Sequence, residues 1–393
     1  MAQTIAGTAV LQDLPTPARS LRAVSTLRLV LGLTALLGAI IFLEGTSWDI
    51  QWHSYIGRDR TLIPPHIMML SGVALSGVSG LLTVLIESLW ARRNKIIAQY
   101  SSGFAGIFSG PFGAYIVGYM ALTAAVAFPL DAYWHALYGI DVAIWAPFHV
   151  MFAASMGIVA LGTAYMLISA AHLAARSGTG ANGIRRAATI GAVLALATVL
   201  SIFTLLLFDA LKEKNFIDLG FMSISVFPLL SGLLVAFTLV TAAYAIPWRW
   251  AATAVSAVYL VLAGIMAMFV QPATDWLLSV ERLQYRDAPP FTSVVALEWF
   301  LLPFVVAILI DVIMHSARRK QWSSRKLTTI LALTALLSSA LPVVPILPIL
   351  PAALVLELGV VGYLASVLLG LAGTYVATLL GQKAGESIDS LER

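Results

Sequence analysis

The chain has 393 residues, 60% of them hydrophobic and 11% charged, with a mean hydropathy of +0.92 and no cysteine. An ordinary soluble protein is roughly 25% charged, so a soluble globule is excluded. The net charge of +4 is carried by residues placed as membrane-orientation signals, so it implies lipid and not nucleic acid as the partner.

The apolar residues fall in runs of about 18 to 25, which cross a hydrocarbon core of about 30 Å as helix, unlike the roughly ten-residue alternating segments of an outer-membrane barrel. The pattern predicts an all-α polytopic membrane protein of about ten transmembrane helices, with a parallel repeat of helix hairpins in the N-terminal half. Residues 1–22 read as a disordered cytoplasmic tail, because they are polar, contain Pro15 and Pro17, and lack the apolar stretch and cleavage site of a signal peptide. Residues 23–175 form a metal-binding four-helix repeat unit, and residues 176–393 a C-terminal transmembrane bundle. Spans are expected near 25–47, 66–90, 104–128, 148–173, 187–210, 220–246, 250–270, 291–315, 327–343 and 352–381. With the N-terminus inside, 17 of the 23 Lys and Arg fall on the cytoplasmic side, Arg28 among them. An integral protein of the bacterial inner membrane with both termini cytoplasmic satisfies that bias. The segment 271–290 is expected as an interfacial helix at the outer face. Pro342, Pro345, Pro348 and Pro351 exclude a continuous helix through that stretch.

Two stretches match one another. Trp48-Asp49-Ile50-Gln51-Trp52-His53 leads to Pro64-Pro65-His66, and Asp131-Ala132-Tyr133-Trp134-His135 leads to Pro147-Phe148-His149. Allowing one inserted residue, Trp52 and Trp134, Gly57 and Gly139, Asp59 and Asp141, and Met68 and Met151 agree as well. Four of the chain's six histidines lie here. Asp and His four apart share a helix face, so Asp49 with His53, and Asp131 with His135, point at one ion. His66 and His149 follow prolines suited to the first turn of the returning helix and supply a third ligand each. Two His and a carboxylate hold a divalent metal, and on ligand type alone copper, non-haem iron and zinc all fit. Without cysteine, thiolate sites and disulfides are excluded. The bland alternative is a pair of interfacial anchors in an aromatic belt, but a duplicated hairpin has no structural reason to keep Asp and both His together.

The Asp-x3-His of Asp49 and His53 is followed by Arg58-Asp59, Pro64 and, thirteen residues after the first His, His66. This resembles the copper-triad membrane subunit of the copper membrane monooxygenases, the particulate methane and ammonia monooxygenase family. The resemblance implies a copper triad at Asp49, His53 and His66. A second triad in the same family subunit spaces its two His by fourteen residues, as His135 and His149 are spaced. Asp131 stands where the family has Asn, which makes the second site more anionic. The likeness covers two stretches of about 20 residues, or the first 175 with their helices. Ten spans exceed the usual number for that family subunit, and the chain has no cupredoxin-like domain.

Acids within spans are costly and point to function. Glu44, less than two turns before Asp49, and Glu298, near the outer end of the eighth span, are candidates to support the site, as are Asp59 and Asp141 if they orient a ligating imidazole. Met68 and Met151 read as packing, and Asp311 with His315 as a salt-bridged helix end. Small residues at Gly72, Gly80 and Gly113 favour close helix contact.

These features lead to a copper-dependent membrane oxygenase or its metal-bearing subunit. It would oxidise a small apolar substrate near the outer leaflet, with further oxygenase subunits or a homo-oligomer as partners. A metal or proton-coupled transporter or metallochaperone is the alternative, and a non-catalytic assembly protein is a third class.

Overall fold

The structure, a computed structural model, describes residues 17–57, 60–139, 145–212, 216–286, 301–340 and 349–390. In chain order these form α1 (Pro17–Tyr55), α2 (Pro64–Arg93), the short α3 (Lys95–Gln99), a hairpin of β1 (Ser102–Phe104) and β2 (Phe108–Gly110), α4 (Phe112–Tyr138) and α5 (Pro147–Arg176). Then follow α6 (Asn182–Lys212), a hairpin of β3 (Phe216–Asp218) and β4 (Ser223–Ser225), α7 (Phe227–Ala245), α8 (Ala251–Glu281), α9 (Leu301–Lys320), α10 (Ser324–Ala340) and α11 (Ile349–Ser390). Among the described residues, eight helices are long and apolar enough to cross a membrane: α1, α2, α4 to α8, and the part of α11 from Leu358 to Ser387. This is a helical integral membrane protein. The other two expected spans fall on α9, which contains Asp311 and ends in Arg318, Arg319 and Lys320, and on α10, which has 17 residues. Residues 291–300 and 341–348 lie outside the described set.

Three local expectations are corrected. The first helix starts at Pro17, where proline's missing N–H costs nothing, and Ser20, Leu21 and Val24 are already buried against Ala91, Ile97 and Leu173. The disordered tail therefore does not extend to residue 22, and residues 1–16 are outside the described set. The third span begins at Phe112 and not near 104, because Gly103 to Gly110 makes an antiparallel hairpin that turns through Ala105 (φ 53°) and Gly106 (φ 69°). The segment after Gln271 is no separate interfacial helix. It continues α8 past Pro272 to Glu281, burying Val270, Thr274, Leu277 and Leu278. Arg282 then takes a left-handed conformation, and the Arg286 N–H donates to the Tyr55 carbonyl at 2.9 Å.

α1 packs against α2, α5, α6 and α8, and α7 packs against α11. Helices approach closely where side chains are absent. A Cβ on Gly72 would collide with the Gly38 carbonyl of α1, one on Gly80 with the Val117 side chain of α4, and one on Gly113 with the Gly162 carbonyl of α5.

Two charged residues take other roles than expected. Arg28 is completely buried in protein and serves as an ion-pair partner, not as a free surface charge. Its guanidinium donates to both Glu87 carboxylate oxygens (2.9 and 2.5 Å), to the Ser169 hydroxyl and to the Tyr100 carbonyl (2.7 Å), while Ser101 donates to Glu87 (2.6 Å). Asp311 is also buried. Its carboxylate accepts from the N–H of Thr253 (2.8 Å), the N–H of Ala252 (3.3 Å) and the Thr253 hydroxyl (2.7 Å), and so caps the N-terminus of α8.

Candidate metal centres

Both triads assemble at the same end of the bundle by the same construction. The last two turns of α1 present Asp49 and His53, and those of α4 present Asp131 and His135. Each helix ends near a glycine with positive φ, Gly57 (68°) and Gly139 (88°), the conformation glycine adopts without a Cβ penalty. The returning helix opens on proline, and its third residue is the second histidine, His66 of α2 or His149 of α5.

The ligand atoms converge. His53 Nε2 lies 3.5 Å and His66 Nε2 3.1 Å from Asp49 Oδ1. In the second group His135 Nε2 is 3.4 Å from Asp131 Oδ2, His149 Nε2 is 3.2 Å from Asp131 Oδ1, and the two Nε2 atoms are 3.3 Å apart. Ligands held at about 2.0–2.1 Å around one tetrahedral ion stand roughly 3.3–3.4 Å from each other, which is the spacing found here.

Protonation strengthens the fit. The Nδ1 atoms of His66 and His135 each lie 3.1 Å from a backbone carbonyl, Thr61 and Gly139 respectively, and a carbonyl only accepts. Nδ1 therefore carries the hydrogen in the neutral ring, and the Nε2 lone pair faces the carboxylate, an inferred tautomer that neighbouring carbonyls commonly impose on metal-binding histidines. A lone pair at 3.1 Å from a carboxylate oxygen is repulsive, and either a second proton on the ring or a cation between the two groups relieves it. Oδ1 of Asp49 and of Asp131 is buried and makes no hydrogen bond of acceptable geometry, although a histidine nitrogen is near. Each set thus fits a divalent ion by donor type, spacing and unsatisfied lone pairs.

The two groups are neighbours. The Phe128 ring of α4 packs edge-on against His66 at 5.8 Å, and Asp131 follows less than one turn later. Phe128 also meets Phe152, which meets Phe42, so an aromatic file runs inward from His66. Phe128 is legible in the sequence, since it shares the ligand face of α4 with Asp131 and His135. The surroundings differ. Trp52 is buried beside α8, whereas its counterpart Trp134 is half-buried among Tyr138 and Phe148. His66 is 12% exposed and His149 28%.

Of the proposed supporting residues, Asp59, Asp141 and Glu298 lie outside the described residues. Glu44 is not brought to the triad. At about 100° per residue it sits far around α1 from Asp49, on the side where Trp48 packs on Phe269 of α8. Met68 and Met151 pack against apolar clusters. No known protein family, curated protein or solved structure matches the chain.

Proposed function

We propose that the protein is a copper-dependent integral-membrane oxygenase, or the metal-bearing subunit of one, distantly related to the copper-triad membrane subunit of the copper membrane monooxygenases. The observation that carries this reading is the pair of Asp/His/His groups, built by the same helix–glycine–proline–helix device with ligand separations of 3.1–3.5 Å. That shared device also supports a parallel repeat of hairpins about an axis along the membrane normal. Asp49, His53 and His66 hold one ion, and Asp131, His135 and His149 the other. Bound copper supplies redox chemistry toward O2, with electrons drawn from a partner protein or a quinol.

The chain's own residues do the rest. The aspartates balance the ionic charge, and the Thr61 and Gly139 carbonyls fix the imidazole planes. Phe128 and Phe152 extend apolar surface inward from His66 that excludes water. A small apolar substrate is favoured by an apolar groove of about 490 Å³ between α2 and α4. It runs from Val84 and Ala114 to Val73 and Ala125, two turns short of His66 and Asp131. On this reading α9 and α10 complete ten spans, both termini are cytoplasmic in a bacterial inner membrane, and the triads face outward.

The transporter alternative is disfavoured because both ligand sets lie at one end, with no third group of this kind among the described residues. The deciding experiment is metal analysis of the detergent-purified chain, with EPR for nitrogen-ligated Cu(II) and turnover of a small alkene probe under O2 with a quinol donor. About two copper ions per chain with nitrogen hyperfine structure are expected. Protein that takes up no copper would overturn the proposal.

A further inference from the structure

The side of α1 turned away from the first triad carries a second set of polar residues. Thr46 meets Met69 of α2, whereas Ser47 meets Met266, Trp48 packs on Phe269 and Gln51 donates to Gln271 (2.6 Å), all on α8. From Gln51, which is fully buried, a hydrogen-bonded file runs outward. Gln271 Nε2 donates to the Tyr285 hydroxyl (2.8 Å), and that hydroxyl donates to Asp275 Oδ1 (2.5 Å), which is exposed at the triad end.

Inward, the same face leads past Ser47 to Glu44, seven residues or about 10 Å from Gln51 along the helix. Glu44 is 7% exposed and Trp48 6%. Among the described residues, both Glu44 carboxylate oxygens and the Trp48 indole N–H are buried without a hydrogen-bond partner. Two acceptors and a donor, one helical turn apart on one face, form the kind of cluster that ordered water occupies.

We propose that Glu44 is a proton-binding site distinct from both metal centres. It is loaded and unloaded from the triad end by water that follows the polar seam lined by Asp275, Tyr285, Gln271, Gln51 and Ser47, the amides lining the seam without relaying the proton themselves, and that water reaches Trp48 and Glu44. The proton comes from bulk water at Asp275, converts the Glu44 carboxylate to the acid and returns by the same route; no electron moves. The other titratable and charged groups on the packed helices are Tyr259, Asp275 and Glu281 on α8, His66, Glu87, Arg92 and Arg93 on α2, His149, Tyr165, His172 and Arg176 on α5, Arg185, Arg186, Asp209 and Lys212 on α6, and Arg19, Arg22, Arg28, Asp49, His53 and Tyr55 on α1 itself, with no Lys or Arg on α8. Glu44 is independent of the metal sites, since none of the path residues is a ligand.

Infrared difference spectra of the full chain in lipid nanodiscs, taken between acid and alkaline buffer, test it. A protonated-carboxyl band should vanish in Glu44→Gln and shift in Glu44→Asp. Its exchange in D2O should slow several-fold in Gln271→Leu and in Tyr285→Phe, with bound metal unchanged in all four variants. Persistence of the band in Glu44→Gln, exchange at the wild-type rate in both path variants, or a band that follows sodium concentration and not pH would overturn the proposal. If Glu44→Gln does not fold, the Glu44→Asp shift and the path variants still decide.

Discussion

The two ends of α1 handle buried charge in opposite ways. At one end the Arg28–Glu87 pair is shut off from solvent, and its polar atoms are met by Ser169, Ser101 and the Tyr100 carbonyl. At the other end Asp49 offers a buried oxygen toward two histidines whose geometry leaves it unsatisfied, and Asp131 does the same on α4. A closed network needs nothing from outside and ties α1, α2 and α5 together. The open one, on the function proposed above, is completed by a cation. On that proposal the difference is one between a structural ion pair and a binding site.

The largest effect should come from breaking the closed network. Glu87→Gln leaves Arg28 buried without its counter-charge, and removing one partner of a buried pair typically costs about 3–5 kcal/mol. Unfolding in detergent should show that loss, with metal content per folded chain unchanged, while replacing Arg28 and Glu87 together by Met and Leu should cost far less. A surface-like response below about 1 kcal/mol for Glu87→Gln would erase the contrast.

The open network should respond in the reverse sense. His66→Ala and His149→Ala should each lower bound copper by about one equivalent while the fold survives, because each removes one of three ligands. Unaltered stoichiometry in either variant would mean that triad is only a polar helix contact.

A smaller effect distinguishes the triads themselves. His149 is the more exposed, so His66→Ala protein, which keeps the second group, should surrender its metal to a hydrophilic chelator faster than His149→Ala protein, which keeps the first. Equal release rates would show that the difference in exposure between His66 and His149 has no effect.

The smallest concerns Tyr285, just after the end of α8. Burial and the neighbouring Asp275 push the Tyr285 hydroxyl up from 10.0 to about 12. Folding therefore favours the neutral phenol, so its contribution is complete below pH 10 and is lost as pH rises through about 12. Ultraviolet titration should count one fewer late-ionising tyrosine in Tyr285→Phe than in the unaltered chain. Asp275→Asn should bring that tyrosine back toward 10.

Much of this is legible in the sequence, for reasons that differ by residue. Asp49, His53 and His66, and Asp131, His135 and His149, can be grouped because helix periodicity and a proline start fix where such side chains point. The end of α8 is not legible because Pro272 looks like a terminator, yet apolar contacts at Val270, Thr274 and Leu277 carry the helix through it. Arg28 reads as an interface charge because its partner Glu87 is 59 residues away, a pairing no local pattern encodes. Asp311 reads as part of its own helix end for the same reason, while the N–H groups it satisfies belong to α8. Glu44 stands close to Asp49 in the chain, but helical phase turns it to the opposite side.

The position of Arg28 along α1 makes that helix a ruler. The 21 residues from Arg28 to Asp49 span about 31 Å at 1.5 Å per residue, one hydrocarbon thickness. The sealed ion pair and the first ligand are therefore separated by about one hydrocarbon thickness, and the distance between them is fixed by a rigid element. Lipids with longer acyl chains would draw one of these polar centres into hydrocarbon, and shorter ones would bare apolar turns of α1, each at a fraction of a kcal/mol per Å of mismatch. Bilayer thickness thus becomes a setting for this protein, and stability or metal retention measured across a series of lipid chain lengths should pass through a maximum near about 30 Å.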